Sequence, residues 1–406
     1  MHIAYLMTRF PNPSQTFVTD EIASHIRHGL DVTVIALQRG NGFGEMSENE
    51  RIVAEHVRHA GIAGSPPARL AQLAGELAGE ARRASPALKI LNPLGTPFPL
   101  SRPALFSLAR AWRNVAPGPD ILHCHFGPVG LFGAALKHMG LTRAKLVTTF
   151  HGYDMARFSG RRGAVFYRAL VEQGDLFLTV SERWRERLIG LGAPSERVRV
   201  HRVGVDVERI AFRERKPDAP VRLVSIGRLI EKKGHSVTLR ALAMLRESRP
   251  DMAVTLDLIG SGPLETRLRR EAAELGVADR VTFHGGLSHE RVLEILERGA
   301  IFILPSLTAR DGDQEGIPVV LMEAMAGGMP VISTRHSGIP ELVEDGVSGL
   351  LCPENDAGAV AHALERLIDT PDRWPGMGRA GRQRVEAEFN QHTQHERLRG
   401  LYAGLL

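Results

Sequence analysis

Short apolar runs alternate with amphipathic segments along the first half of this chain. The apolar run HIAYLM is followed by the helix-like pattern TFVTDEIASHIRHG and by a second apolar run, DVTVIALQ. A proline-interrupted stretch at 48–115, rich in Ala, Leu and Arg, is predicted to be mainly helical. Beyond it, the apolar runs DILHCHF, AKLVTTF and DLFLTV are separated by two helical segments. Strands that alternate with helices build βαβ units, so the pattern predicts a parallel sheet.

The alternation starts again in the second half. Residues 207–220 are polar and contain prolines, as expected of a linker, and the apolar runs VRLVSIG, AVTLDLIG, RVTFHG and AIFILPS follow it. PVIST and GLLCP add strands, and a helical pattern occupies 372–405. The predicted fold class is therefore α/β, with two Rossmann-like, doubly wound parallel sheets facing each other across a cleft. Such sheets bind ligands at the carboxyl ends of their strands.

The linker divides the chain into two domains of opposite charge. We predict a first domain at 1–204, a second at 205–384, and a last helix at about 385–406 that packs back onto the first. Residues 1–204 carry a net charge of +9 and residues 205–406 a net charge of −4, within a total of +5. Ordinary surface variation explains this difference, and so does contact of the first domain with lipid head groups or a phosphate-bearing substrate. Nucleic acid is disfavoured, because only 5% of residues are aromatic and no binding motif is present.

Composition places the chain among ordinary globular enzymes. Of its 406 residues, 43% are hydrophobic and 24% charged. Two cysteines, Cys124 and Cys352, exclude a disulfide framework or a cysteine zinc site and fit a reducing cytoplasm. The opening MHIAYLMTRF is too short an apolar run for a secretory signal, and no apolar stretch approaches the ~20 residues that span a bilayer.

Two acids near the end of the chain form a metal-binding triplet of low specificity. Asp311, Gly312 and Asp313 spell DxD, and paired carboxylates can hold Mg²⁺ or Mn²⁺. Acids around a glycine are also common in turns. A more specific pattern begins directly after the triplet, so we favour the turn and expect no metal.

That pattern consists of two glutamates separated by seven residues. Glu315 precedes a helix expected from about Pro318 to Gly327, and Glu323 lies inside its apolar run. The helix N-terminus offers free N–H groups to an anion, and a carboxylate can accept hydrogen bonds from adjacent hydroxyls of a polyhydroxy ligand. The alternative is a Glu323 on a solvated face or paired with an arginine.

Basic residues occupy a glycine-containing turn at the end of another predicted strand. In VRLVSIGRLIEKKGH, Gly227 and Arg228 end the strand, and Lys233 stands just before the next helix. Two cations and two glycines in such a turn fit a diphosphate, although a plain basic surface loop would look the same. The dinucleotide fingerprint G-x-G-x-x-G is absent from GSGP at 260–263, which argues against hydride transfer.

These stretches together resemble the retaining glycosyltransferases of family 4, which have the two-domain GT-B fold. GRLIEKKG, LPS, EGIPVVLMEAMAGGMPVIST and SGIPELVEDGVSGLL carry the resemblance over about 220–352. IAYLMTRFPNPSQTFVTDEI, HCHFG and TFHGYD resemble the colanic-acid, exopolysaccharide type of transferase, and the likeness is looser at 45–115.

The resemblance implies roles for matching residues. Glu323 would accept the hydroxyls of the nucleotide ribose, while Arg228 and Lys233, beside Gly227, would neutralise the donor diphosphate. Glu315 would contact the hydroxyls of the transferred sugar. The backbone N–H groups of Gly316 and Ile317 would assist Glu315 in this contact.

In the first domain, the resemblance places His151 of TFHGYD beside the donor sugar. His123 and His125 compete with it as candidates, and a metal site there is disfavoured because further ligands are not evident in the sequence. The glycine pair that the family carries after its first strand is missing. FPNPSQT occupies that place, so we expect three polar residues to supply donor contacts instead, namely Ser14, Gln15 and Thr16.

The resemblance also implies a reaction and partners. A hexosyltransferase would move a hexose from a UDP- or GDP-sugar with retention of configuration, without a cofactor or metal. The expected acceptor is a growing lipid-linked oligosaccharide of exopolysaccharide synthesis at the inner face of the cytoplasmic membrane. Residues 87–100 and a basic, aromatic segment could meet lipid, although a solvated helix face with ordinary packing explains them equally. That segment contains Arg157, Phe158, Arg161, Arg162, Phe166, Tyr167 and Arg168.

Two rival functions stay open from the sequence. A nucleotide-sugar epimerase or hydrolase of the same fold would turn over donor without an acceptor. A non-catalytic protein that binds sugar nucleotides would retain donor binding after His151 and Glu315 are replaced.

Overall fold

The computed structural model describes residues 1–12, 15–40, 46–60, 102–113, 118–156 and 160–406, with isolated positions between 68 and 100. Its chain forms two compact units. The first unit contains residues 1–201 and 395–406, and the second contains residues 202–394. The predicted boundary after residue 204 lies close to the first crossing of the chain between the units, and the last helix begins in the second unit and ends in the first.

The first unit is built on a seven-stranded parallel sheet. Its order is β3-β2-β1-β4-β5-β6-β7. The strands are β1 (His2–Phe10), β2 (Asp31–Arg39), β3 (Val57–His59), β4 (Ile121–His125), β5 (Lys145–Phe150), β6 (Leu176–Thr179) and β7 (Val198–Val200). Strand β1, the third in this order, pairs Ile3 with Val32 of β2 and with Ile121 of β4. This arrangement confirms the predicted parallel sheet.

Helices connect these strands. They are α1 (Thr16–Arg27), α2 (Glu48–Ala54), α3 (Arg102–Arg113), α4 (Gly127–His138), α5 (Tyr153–Ala156), α6 (Gly160–Gln173) and α7 (Glu182–Gly190). The mainly helical prediction for 48–115 is wrong at β3, and β7 was not predicted either. Both are three-residue strands at the two edges of the sheet, too short to produce a recognisable apolar run.

The second unit repeats the architecture with six parallel strands. Their order is β10-β9-β8-β11-β12-β13. The strands are β8 (Val221–Ile226), β9 (Val254–Ile259), β10 (Val281–Gly285), β11 (Ile301–Ile303), β12 (Val331–Thr334) and β13 (Gly349–Cys352). The helices are α8 (His235–Ser248), α9 (Glu265–Glu274), α10 (His289–Arg298), α11 (Val319–Ala326), α12 (Ile339–Leu342), α13 (Ala357–Asp369), α14 (Trp374–Glu388) and α15 (Gln391–Ala403). The predicted doubly wound class is thereby confirmed for both units.

Glycines allow the carboxyl ends of β8, β9 and β10 to approach one another. The Gly227 N–H donates to the Ile259 carbonyl at 2.9 Å, and the Gly260 N–H donates to the Gly285 carbonyl at 2.8 Å. A Cβ on Gly260, whose φ is +140°, would lie 2.0 Å from the Gly227 carbonyl oxygen. The glycine turns seen in the sequence are therefore required by backbone contact. Within the described residues, no helix is both long and apolar enough to cross a bilayer.

Candidate active site

The turn after β8 directs one lysine back over the end of its own strand. A 3₁₀ turn at Glu231–Lys233 ends in Gly234, whose φ is +69°. A Cβ on Gly234 would meet the Pro305 carbonyl oxygen at 1.9 Å, so only glycine fits there. The Lys233 side chain then packs on Gly227, where an added Cβ would lie 3.1 Å from its Cδ. The cation thus lies at the carboxyl end of the strand.

Lys233 pairs with the first glutamate of the two-glutamate pattern. Its Nζ lies 2.9 Å from Oε1 of Glu315, and both side chains are largely buried. Burial by itself raises the pKa of Glu315, but the charges of Lys233 and then Lys232 outweigh it and lower that pKa below its ordinary value. Glu315 is therefore a carboxylate at neutral pH.

Two residues that follow β12 hold the backbone of Glu315. Nε2 of His336 accepts the Glu315 N–H at 3.1 Å, and the Ser337 hydroxyl donates to the Glu315 carbonyl at 2.6 Å. Because its Nε2 accepts, the His336 ring carries its proton on Nδ1, which lies 2.8 Å from Oε1 of Glu354. Sequence reasoning missed these residues, although His336 directly precedes the SGIPELVEDGVSGLL motif.

Glu323 occupies a buried position on α11. The helix runs over Val319–Ala326 between Pro318 and Gly327, as predicted. Glu323 is only 7% exposed, so the solvated-face alternative is wrong. The Nδ1 atom of the exposed His289 ring lies 3.7 Å from its Oε1. The helix thus holds a carboxylate within its apolar surroundings, in a position that the sequence pattern anticipated.

The other predicted donor-site residues of this unit lie in two places, Arg228 after β8 and Gly316 with Ile317 directly after Glu315. Arg228 is exposed and forms no ion pair within the part of the chain that the structure describes, so its charge can meet an anionic ligand. Gly316 and Ile317 precede α11, and the Gly316 carbonyl accepts the Gly338 N–H at 3.4 Å. Ile317 is buried. Their predicted backbone contacts with a sugar stay predictions.

The acids of the DxD triplet contact the turn after β8 and their own loop. Oδ1 of Asp313 lies 3.0 Å from Nζ of Lys232, which also donates to the Gln314 carbonyl at 3.2 Å. Asp311 accepts the Asp313 N–H at 3.0 Å. These contacts fit the turn that the sequence analysis favoured over a metal site.

In the first unit, a buried aspartate fixes the backbone around His151. Asp154 accepts the His151 N–H at 3.1 Å and the Gly127 N–H at 2.8 Å. Burial raises the pKa of Asp154 to about 6, even though these backbone hydrogen bonds act in the opposite direction. The loop TFHGYD is therefore tied to the start of α4.

The His151 ring packs among aromatic side chains. Its centroid lies 4.9 Å from that of Phe17 and 4.6 Å from that of Phe126. Its Nε2 lies 3.1 Å from Nδ1 of His125. Burial lowers the pKa of His151 well below its ordinary value, so the ring is neutral at pH 7.

The expectation that His123 and His125 have no further ligand nearby is wrong. Oε1 of Glu21, on α1, lies 3.5 Å from Nδ1 of His123 and 3.3 Å from Nε2 of His125. These three buried side chains are close enough to hold a metal ion. The sequence pattern of the amphipathic segment TFVTDEIASHIR did not indicate that its glutamate, Glu21, is buried.

The FPNPSQT stretch precedes α1. Ser14 lies outside the described residues. Gln15 stands directly before the helix and its N–H donates to the Asn12 carbonyl at 2.9 Å, while the exposed Thr16 begins the helix. The predicted contacts of all three with a donor stay predictions.

The predicted lipid-facing segment is only partly described. Tyr167 is fully buried and donates to the Asp154 carbonyl at 2.8 Å, so its expected contact with lipid is wrong. Arg168 is exposed and Phe166 half-buried. In the apolar stretch 87–100, only Phe98, which is buried, and Leu100 are described. The side chains of the remaining predicted residues lie outside the described part, namely Arg157, Phe158, Arg161 and Arg162.

Family models match both parts of the chain. The model for glycosyltransferase family 4 matches residues 14–209, and the model for glycosyl transferases group 1 matches residues 206–384. Together they extend over both units. The second match includes Glu315, Glu323, Arg228 and Lys233, and the first includes His151.

Full-length relatives belong to exopolysaccharide synthesis. WcaL of Escherichia coli, provisionally assigned as a colanic acid biosynthesis glycosyltransferase, is 36% identical over 421 residues, covering 100% of both chains. The amylovoran biosynthesis glycosyltransferase AmsK of Erwinia amylovora is 35% identical over 407 residues, covering 98% of each. The crystal structure of Anabaena HepE with UDP-glucose is 17% identical, covers 100% of both chains with a TM-score of 0.73, and confirms the predicted GT-B fold class. The chain belongs to the family 4 glycosyltransferases.

Proposed function

We propose that this glycosyltransferase moves a hexose from a UDP- or GDP-sugar to a growing lipid-linked oligosaccharide of a cell-surface polysaccharide. The relatives in colanic acid and amylovoran synthesis support the pathway class, and the UDP-glucose complex of HepE supports the donor class. The observation that carries the proposal is the buried pair of Lys233 and Glu315 at the end of β8, where a cation and a carboxylate share one site.

The donor's charged and polyhydroxy parts match the residues of the second unit. Arg228 and Lys233 bind the diphosphate, Glu323 accepts hydrogen bonds from the ribose hydroxyls, and Glu315 accepts from hydroxyls of the hexose. The free N–H groups at the start of α11 add positive potential next to Gly316 and Ile317. In the first unit, we propose that His151 contacts the hexose, with Gln15 and Thr16 near the donor.

The reaction proceeds with retention and without a metal. The bond between the anomeric carbon and the β-phosphate oxygen breaks, and the acceptor oxygen bonds to that carbon on the same face. The acceptor's proton passes to the departing phosphate oxygen. Negative charge grows on the leaving group, so the cations Arg228 and Lys233 bind the transition state more tightly than the ground state.

The proposed acceptor and location rest on membership of the family and on the charge of the first half of the chain. The first half of the chain carries the net positive charge, which favours the anionic cytoplasmic leaflet and the diphosphate of a lipid-linked acceptor. We place the protein on the inner face of the cytoplasmic membrane, bound peripherally. Flotation with vesicles tests this placement, since equal recovery with neutral and anionic vesicles would contradict it.

Product analysis tests the function itself. The protein is incubated with a panel of UDP- and GDP-hexoses and a lipid extract, and labelled sugar is measured in the lipid and in water. We expect acceptor-dependent transfer to lipid. Release of free sugar or epimerised donor without acceptor would favour the epimerase or hydrolase alternative.

Calorimetry separates binding from chemistry. Glu323→Gln should weaken nucleoside diphosphate binding, while Glu315→Gln should lower turnover more than binding. The matched control is Glu172→Gln, an exposed residue of the first unit. Donor binding without any turnover in the wild type would favour a non-catalytic binding protein.

A further inference from the structure

Buried polar side chains from several elements of the first unit meet around the carboxylate of Glu21. We name this group the Glu21 cluster. Its members are Tyr5 on β1, Glu21 on α1, His123 and His125 on β4, His151 after β5, His201 after β7 and Tyr402 on α15. Apart from the half-buried His151, each is at most 8% exposed.

One hydrogen-bonded chain reaches Glu21 through two tyrosines. Tyr5 donates its hydroxyl proton to Oε1 of Glu21 at 2.9 Å, because a carboxylate can only accept. The Tyr402 hydroxyl lies 3.1 Å from that of Tyr5 and must therefore donate to it. Nδ1 of His123, 2.6 Å from the Tyr402 oxygen, then donates, and its Nε2 accepts from the Thr149 hydroxyl at 2.7 Å. Each proton in this chain points toward Glu21.

A second chain links the same carboxylate oxygen to His151. Nε2 of His125 lies 3.3 Å from Oε1 of Glu21 and donates to it. A His125 ring with its proton on Nε2 has a lone pair on Nδ1, 3.1 Å from Nε2 of His151. His151 must therefore carry its proton on Nε2, which leaves Nδ1 as an acceptor.

The surroundings of Glu21 keep it ionised, as an acceptor of both hydrogen-bonded chains. Burial by itself raises the pKa of Glu21, but His125, with smaller effects of His123 and His201, lowers it well below its ordinary value. Burial lowers the pKa of His123 and His151 well below 6.5, and those of His25 and His201 to about 4. The groups that face Glu21 are therefore these histidines and the two tyrosines, around one ionised carboxylate.

A metal ion explains the cluster less well than hydrogen bonds do. Nδ1 of His123 lies 2.6 Å from the Tyr402 oxygen but 3.5 Å from Glu21, so the tyrosine is its nearer partner. The rings of His123 and His125 lie 4.4 Å apart with an inclination of 33°, so they also contact each other directly.

We propose that Glu21 is a positioning residue that acts through His125 to set the tautomer and orientation of the His151 ring. This proposal rests on the proposed function, which places His151 at the hexose. The rings of Phe17 and Phe126 restrict His151 from its sides. The hydrogen bond from His125 then selects the ring nitrogen that accepts from a sugar hydroxyl, namely Nδ1.

Nitrogen NMR of ¹⁵N-histidine-labelled protein tests the assignment without using activity. In the wild type, His125 and His151 should both be protonated on Nε2 and bare on Nδ1. Glu21→Gln should produce a mixture of tautomers at both rings. Tyr402→Phe should change only His123, because it interrupts the chain that does not lead to His151. The exposed Glu48→Gln on the neighbouring helix is the control.

Two NMR results would overturn the proposal: His151 protonated on Nδ1 in the wild type, or unchanged His125 and His151 tautomers in Glu21→Gln. A loss of folding in Glu21→Gln would appear as collapsed dispersion for all histidines. In that case the Tyr5→Phe variant, which removes one donor to Glu21 but keeps the carboxylate, takes its place and should shift the signals of His125 and His151.

Turnover separates this proposal from the proposed function. Glu21→Gln should lower kcat about tenfold to a hundredfold with little change in donor KM, the size expected when an outer partner of a functional histidine is lost. Tyr402→Phe and Glu48→Gln should stay close to wild type. If His151→Ala turns over donor normally while the NMR results hold, the role of His151 in the proposed function is wrong and the positioning by Glu21 stands. If His151→Ala is inactive but Glu21→Gln is fully active, the positioning proposal is wrong.

Discussion

Lys233 and Glu315 form a largely buried ion pair, with 2.9 Å between Nζ and Oε1. The pair joins the turn after β8 to the segment before α11, two places that the sequence singled out separately. Because Lys233 also packs on Gly227, the ammonium group cannot move away without losing both contacts. If these residues bind the donor as proposed, its diphosphate and the sugar hydroxyls meet two groups that already hold each other in place.

Replacing Lys233 should weaken transfer and change its pH dependence. If Lys233 binds the leaving diphosphate as proposed, Lys233→Met removes that cation and kcat should fall about 10²- to 10³-fold. The charge of Lys233 lowers the pKa of Glu315, so the acidic limb of the pH–rate profile should move to higher pH in this variant. Steady-state kinetics across pH check both effects. The exposed Lys216→Met is the control, and equal rates for the two variants would contradict the prediction.

Replacing His336 should lower both activity and stability, because its ring accepts the backbone N–H of Glu315. His336→Ala leaves that buried N–H without its acceptor, which costs about 1–3 kcal/mol and allows the Glu315 carboxylate to shift. We expect lower kcat/KM for the donor together with a lower unfolding temperature. The exposed His362→Ala should behave like the wild type.

Transfer should survive removal of divalent metal ions. Asp313 is paired with Lys232, and Asp311 accepts a hydrogen bond within its own turn. EDTA should therefore leave turnover within about twofold of the untreated protein, and Asp311→Asn should do the same. Complete loss of turnover on chelation, with recovery in Mn²⁺, would instead indicate that Asp311 and Asp313 bind a metal ion.

Asp154 should make the wild type less stable as the pH rises from about 4 to about 6. Its pKa is raised from 3.8 to about 6 by burial, so the folded protein retains a proton in this range that the unfolded chain releases. The loss is on the order of 3 kcal/mol over the full range. Thermal unfolding should show a larger advantage of the wild type over Asp154→Asn at pH 4.5 than at pH 7. A constant difference would contradict this, and the exposed Glu172→Gln is the control.

Local patterns were sufficient for the fold class, and they singled out the candidate site residues of the second unit. Short apolar runs between amphipathic segments predicted most strands and helices around both parallel sheets, and turn glycines marked the strand ends. Glu323 was recognised because a carboxylate inside an apolar helical run is unusual. Short edge strands such as Val57–His59 were not predicted, because three partly exposed residues produce no recognisable hydrophobic pattern.

Contacts between distant segments were decided by tertiary structure. Glu21 and His125 are 104 residues apart, and β1 and β4 are neighbours only because the strand order of the sheet places them so. His336 reaches the Glu315 N–H across 21 residues for the same kind of reason. Hydrophobic periodicity reports which face of an element is buried, but it carries no information on which polar groups of other elements that face will meet.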